Sequence, residues 1–181
     1  IVKELQRWHY HKAWERAPRA TAENLLTSRW VLKWKEIDGK RTIKARLTVQ
    51  GFKDRQEVDN CAGTTSRWGQ RLILIMAAQM KWPLHSADVS EAFLRGMSFE
   101  ETAKEAGETL RQCELQLPPG CTPMLRELEG MKDFNELAEV LKMLKPGYGL
   151  KDAPRLWNKA LKKVLTLVGL RVTCADKELL C

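Results

Sequence analysis

Three short segments of this chain hold side chains whose types and spacing suit phosphate chemistry. The first is Ala87-Asp88-Val89-Ser90-Glu91-Ala92-Phe93-Leu94. A carboxylate at the end of a strand, followed by a tight turn, can hold a divalent cation against a triphosphate. The same residue type at the same place also caps helices. Phe93, five positions on, suits packing against a sugar, and equally suits a core. The second segment is Lys44-Ala45-Arg46-Leu47, whose two cations share one strand face. They can grip phosphates, or form a solvated edge. The third is Tyr148-Gly149-Leu150-Lys151-Asp152-Ala153-Pro154-Arg155. Here a glycine lets backbone approach a ligand just before the positive end of a helix, or the segment is an ordinary helix start.

The elements that must position these residues follow from periodicity. Leu5, Trp8 and Trp14 among Lys and Arg suit a short amphipathic helix within residues 1–16, and 17–24 reads as loop or frayed helix. From Arg29 the period becomes two. Asp38-Gly39 is a two-residue hairpin turn, and on the return strand Ile43, Ala45, Leu47 and Val49 alternate with Thr42, Lys44, Arg46 and Thr48. The hairpin is therefore expected to bury one face and present cations on the other. Thr65 or Ser66 should cap a helix over 67–81, apolar around most of its circumference and so expected to be buried. A strand over 84–89 then delivers Asp88, and one helical turn closes at Gly96. A short acidic helix over 99–106, a strand over 114–117, and a helix or a helix running into a strand over 135–144 come next. Asp152 should cap a final amphipathic helix with Pro154 in its first turn and Arg155, Lys159, Lys162 and Lys163 as a basic remainder.

Composition narrows the class. The 181 residues are 44% hydrophobic and 30% charged, which excludes a disordered chain. The longest apolar run, Leu72–Ala78, is too short to span a bilayer, so no membrane association is expected. Ile1 in place of Met suggests a fragment or a processed piece. Five cysteines without a Cys-x-x-Cys pair, and three histidines without zinc spacing, read as free thiols of an intracellular protein; nucleus and cytoplasm are not distinguished. The net charge of +8 is uneven: residues 1–58 carry 14 basic and 7 acidic side chains, residues 143–181 carry 8 and 3, and the middle is mildly acidic. A polyanion touched at both ends would account for this, as would a solvated basic surface.

Five strings, in order, decide between these alternatives. Arg29-Trp30-Val31-Leu32-Lys33, Lys44-Ala45-Arg46-Leu47 with Gly51-Phe52, Asp88 through Leu94, Leu117-Pro118-Pro119-Gly120, and Tyr148 through Trp157 resemble motifs of copia-type retrotransposon reverse transcriptases. The resemblance runs from about Trp14 to Leu170. It implies an α+β fold of right-hand polymerase type, truncated: a fingers-like β-hairpin plus an incomplete palm sheet packed by helices. In that frame residues 1–28 are an N-terminal extension and 29–181 a partial reverse transcriptase domain, with the hairpin at 29–58 and the fingers and palm portion at 59–181. The resemblance further implies that Lys44 and Arg46 lie near the incoming deoxynucleotide triphosphate. Asp88 would be the first metal-binding aspartate, assisted by the Val89 carbonyl. Phe93 would exclude a ribose hydroxyl, and Tyr148, Gly149 and Lys151 would support nucleotide and template. Mg²⁺, an RNA template and a DNA primer are the implied cofactor and partners.

One departure bears on activity. The family carries a Tyr-x-Asp-Asp motif on a later hairpin, and no adjacent Asp-Asp pair occurs in this chain. The expected function is thus a fragment of an RNA-directed DNA polymerase that is inactive alone. The alternatives are a nucleic-acid-binding remnant using the basic hairpin and the final helix, or a decayed element that folds poorly because sheet edges and apolar helix faces are exposed.

Overall fold

The computed structural model describes the backbone of residues 1–181 and every side chain except that of Ile37. Its helices are α1 (Val2–Tyr10), α2 (Arg67–Met80), α3 (Phe99–Ala106), α4 (Thr122–Leu125) and α5 (Ala153–Leu167); its strands are β1 (Trp14–Pro18), β2 (Leu25–Ile37), β3 (Lys40–Val49), β4 (Glu114–Gln116) and β5 (Glu139–Met143). The strands form one mixed sheet in the order β1-β5-β4-β2-β3. Strand β2 runs parallel to β4, and the other pairings are antiparallel. The architecture is α+β, as expected.

The hairpin forms where alternation and turn chemistry agree. Asp38 and Gly39 both adopt positive φ, 52° and 74°, which a two-residue turn of matching twist requires. Cross-strand partners run from Ser28↔Val49 to Glu36↔Arg41. Burial covers only the base. Leu47 and Val49 are buried, whereas Leu32, Trp34 and Ile43 on the same face are exposed. The hairpin extends past the rest of the sheet, so its distal apolar face meets no packing partner. The expectation of one buried face holds for the base alone.

Residues 1–28, expected to lie outside the 29–181 domain, are built into its core. Leu5 and Trp8 of α1 are fully buried, Trp8 stacks on Trp14 at 5.3 Å between ring centroids, and β1 pairs with β5 from Trp14↔Met143 to Pro18↔Glu139. The helix expected over 1–16 stops at Tyr10 because Lys12 takes a left-handed φ of 51°. The Lys12 amide then donates to the His9 carbonyl, and the Ala13 amide donates to that of Trp8. This is a Schellman-type ending with lysine where glycine is usual. Over 135–144 the strand prevails, with Val140, Leu141 and Met143 buried.

The helix starts expected at 67 and 99 are matched. Ser66 caps α2 by accepting from the Gly69 amide, and Ser98 with Glu101 forms a reciprocal capping box on α3. Two expectations fail. Helix α2 is not buried: only Gly69 and Ala77 are covered, while Trp68, Leu72, Leu74, Ile75 and Met80 face outward because no element lies over them. The strand expected over 84–89 is also absent. That segment has no hydrogen-bonded neighbour and is exposed throughout, so its backbone groups face water instead of a ladder.

Burial makes the energetic contrast testable. Truncating Trp8, fully buried and packed against Gly147, is expected to cost about 3–5 kcal/mol in chemical denaturation. Ile43→Ser on the exposed distal hairpin should stay within about 0.5 kcal/mol. Equal losses for the two would show that the hairpin tip is packed after all.

Candidate functional site

The site begins with alternation on β3. Because Leu47 and Val49 point into the core, Arg46 and Lys44 must point to the opposite face. There they line a groove of about 290 Å³ together with Asp88, Val89, Phe93 and Tyr148. Six of the eight residues singled out from the sequence thus surround one hollow. A larger hollow of about 370 Å³, walled by Arg19, Leu115, Phe134 and Leu141, contains none of them.

Within the groove Arg46 lies over the Tyr148 ring, its guanidinium carbon 4.5 Å from the centroid, and Phe93 meets the same ring edge-on at 5.5 Å. Burial pushes the Tyr148 phenol above its ordinary value although Arg46 pulls it down, so the ring stays neutral. Lys44 stands directly opposite Lys33 across the hairpin. Like charges at that spacing repel, and neither lysine has a carboxylate within ion-pair distance among the described residues. Lys33, Lys35, Lys44 and Arg46 line an adjoining hollow of about 180 Å³ on the same face. An anion there would relieve the repulsion.

The opposite wall is acidic. Asp88 is exposed and has no hydrogen-bond or ion-pair partner among the described residues. The two other carboxylates of the groove are engaged. Glu4, buried, accepts from the Leu47 amide at 3.3 Å and the Trp8 indole at 3.4 Å. Glu91, in a left-handed turn with φ 60°, pairs with Arg7 at 2.9 Å and with His11 at 2.7 Å. No group of three His, Cys, Asp or Glu side chains converges among the described residues. One free carboxylate does not make a site for the two Mg²⁺ ions that the resemblance implies. Glu4, Arg7 and Glu91 escaped sequence reasoning, since nothing in the local pattern of α1 announces a contact with residue 91.

Gly149 and Lys151 are not in the groove. Gly149 has φ +93°, and a Cβ there would stand 2.1 Å from the Val49 carbonyl oxygen. The close backbone approach that glycine permits is therefore to the end of β3, where the Val49 amide donates to the Tyr148 carbonyl at 2.7 Å. Lys151 donates to the Asp54 carbonyl at 2.8 Å. Asp152, expected to cap α5, makes no capping bond and instead accepts from Arg111 at 3.0 Å. Arg111 also pairs with Asp54, so a buried guanidinium lies between two buried carboxylates.

The basic face of α5 is neutralised from within except at Lys159, which has no ion-pair partner among the described residues. Arg155 pairs with Asp59 and Glu108, Lys162 with Glu178 at 2.6 Å, and Lys163 with Glu105 at 2.7 Å. The exposed Lys163–Glu105 pair adds little stability, but together these pairs weaken the field a polyanion would feel. On the hairpin, by contrast, Lys33, Lys35, Lys44 and Arg46 share one face and none of them has a carboxylate within ion-pair distance among the described residues.

Comparison with known proteins gives transposon Pol polyproteins among the relatives. The chain is 27% identical over 167 residues to the retrovirus-related Pol polyprotein from transposon RE2 of Arabidopsis thaliana, covering 90% of this chain and 10% of that protein. It is 25% identical over 172 residues to the corresponding polyprotein from transposon RE1 of the same plant, covering 92% and 10%. It is 31% identical over 137 residues to that from transposon TNT 1-94 of Nicotiana tabacum, covering 73% and 9%. The chain thus spans about a tenth of the length of these relatives. No family model matches it, and no solved structure does. Among the described residues no helix is long and apolar enough to cross a membrane.

The buried charge cluster has a pH signature. Burial pushes the Asp54 carboxyl up, but hydrogen bonds from Arg111 and Asn24 outweigh it and hold the group below its ordinary value of 3.8. A depressed carboxyl stabilises the fold above its unfolded value, and that contribution is lost as pH falls through the folded one. Urea midpoints are expected to drop below about pH 4, with a shallower acid limb in Asp54→Asn. Identical acid limbs would remove Asp54 from the account.

Proposed function

We propose that this chain is the nucleotide-gripping part of a copia-type retrotransposon RNA-directed DNA polymerase, with the β2–β3 hairpin as fingers and the Asp88 segment as the start of a palm. The observation carrying the reading is the groove itself: a face of unpaired cations on β3, an aromatic pair beside it, and a free carboxylate across from it. The order of the sequence motifs and the similarity to transposon Pol polyproteins support it. In this reading Lys44 and Arg46 hold the triphosphate by charge-assisted contacts, and Arg46 is kept in place by the Tyr148 ring. Phe93 bounds the sugar and favours the deoxy form. The RNA template and DNA primer lie along the hairpin. Metal-assisted transfer would require carboxylates beyond Asp88, so the proposed property of this chain is binding.

Fluorescent dATP titrated into the chain at low salt tests this. Lys44→Ala with Arg46→Ala should weaken binding at least about tenfold, since each lost ionic contact is worth about 1.5–3 kcal/mol. Asp88→Ala should leave affinity unchanged or improve it, because a carboxylate repels a triphosphate. Unchanged affinity in the double variant would refute the groove as the nucleotide site.

A second reading, nucleic-acid binding without catalysis, is favoured by the cations that continue beyond the groove. Arg29, Lys33 and Lys35 share the face of Lys44 and Arg46. If strand phosphates lie there, Lys33→Ala with Lys35→Ala should lower oligonucleotide affinity. It should also flatten the plot of log K against log salt by about 0.7 per lost contact with a single strand. Affinity for dATP should not change. Substitutions of Lys162 and Lys163, already paired, should move neither.

A further inference from the structure

The groove depends on a contact between two segments distant in sequence, the end of β3 and the loop carrying Tyr148. Three bonds hold them together. The Val49 amide donates to the Tyr148 carbonyl, Lys151 donates to the Asp54 carbonyl, and Arg111 joins the Asp54 and Asp152 side chains. Only the third comes from outside both segments. Arg111 uses every nitrogen of its fork: Nε to Asp152 at 3.0 Å, Nη2 to Asp54, and Nη1 to Gln56 at 2.7 Å and to Asp54 at 3.3 Å. The guanidinium is planar and rigid, so these contacts fix the distance and the angle between the two carboxylates. Asp54 lies eight residues beyond Arg46, and Asp152 lies four beyond Tyr148.

We propose that Arg111 is the positioning residue of the groove: by locking Asp54 to Asp152 it sets the Tyr148 ring under Arg46. Arg111 touches neither the groove nor any ligand it would take, so its effect is carried by the two segments it joins. Its consequence for nucleotide affinity rests on the reading of the groove given above. Its consequence for the Arg46–Tyr148 contact does not. A buried ion pair is often no more stabilising than a hydrophobic replacement. Geometry is therefore the property to test, and stability the one to control for.

The test compares Arg111→Lys, which keeps the charge and loses the fork, with Arg16→Lys. Arg16, on β1, makes a similar forked pair with Glu139 of β5, away from the groove. Two readouts are taken on folded protein beside the melting temperature. One is the ring-current shift of the Arg46 side-chain protons over Tyr148, identified through their contact with that ring, one of two tyrosines in the chain. The other is the Kd for dATP. Arg111→Lys is expected to move the Arg46 shifts toward random-coil values and to weaken dATP at least fivefold, and Arg16→Lys to change neither at a comparable loss in melting temperature. Arg46 shifts that stay at wild-type values in Arg111→Lys overturn the proposal, whatever happens to stability. If wild-type protein does not bind dATP, the nucleotide reading fails and the Arg46 shifts still decide the role of Arg111. Should Arg111→Lys not fold, Asp152→Asn, which keeps one acceptor for Nε, takes its place: displaced Arg46 shifts support the proposal and wild-type shifts overturn it.

Discussion

The close approach of the end of β3 to the Tyr148 loop is the constraint on which the rest of this structure depends. Leu47 and Val49 are anchored in the core, so the strand cannot rotate, and period-two geometry then commits Arg46 to the outer face. The loop can reach that face only because Gly149 has no side chain to meet the Val49 carbonyl. Once it is there, Tyr148 presents a ring that Arg46 covers and Phe93 abuts. A cation over an aromatic face is held without being neutralised. Arg46 therefore keeps its charge available while losing its freedom.

Charge is distributed with the same asymmetry. Of the α5 cations Arg155, Lys162 and Lys163 meet carboxylates, whereas on the hairpin Lys33 and Lys44 face each other. Lys33 opposite Lys44 is a local cost that an isolated hairpin would avoid. The Glu36↔Arg41 pair nearer the tip shows that opposite charges can be placed across these strands. The repulsion is thus confined to the stretch beside the groove, where an anion would remove it.

Much of this was legible in the sequence where a local rule and tertiary packing agree. The Asp38-Gly39 turn, the cap at Thr65 or Ser66, the short acidic helix over 99–106 and the α5 stripe all followed from residue type at fixed spacing. Legibility ended where a partner decides. Residues 84–89 read as a short strand but find no ladder, and α2 is apolar like a buried helix but finds no cover. Lys12 ends α1 in a conformation usually given to glycine, so the start of β1 was invisible. Asp152 carried the signature of a cap and was taken instead by Arg111, forty-one residues away, a competition no local window can register. Lys44, Arg46, Asp88, Val89, Phe93 and Tyr148 were recognisable as a set, while the roles of Gly149 and Lys151 behind the groove required the fold.

The two walls of the groove are built to different standards, and this bears on what the chain can do. The cationic wall is a strand pinned by buried side chains and by an aromatic ring that is itself packed. The acidic wall is an exposed segment secured downstream through Glu91, whose pairs with Arg7 and His11 hold the turn but not the carboxylate three residues before it. Phosphoryl transfer requires charged groups held within a fraction of an ångström of their productive places. Holding a flexible polyanion does not, because long-range attraction tolerates imprecision on the weaker side. The rigid half of this groove is the half suited to holding phosphate, and the loosely held half is the one that chemistry would need. Physical preorganisation therefore favours capture of an anion as the property intrinsic to these residues.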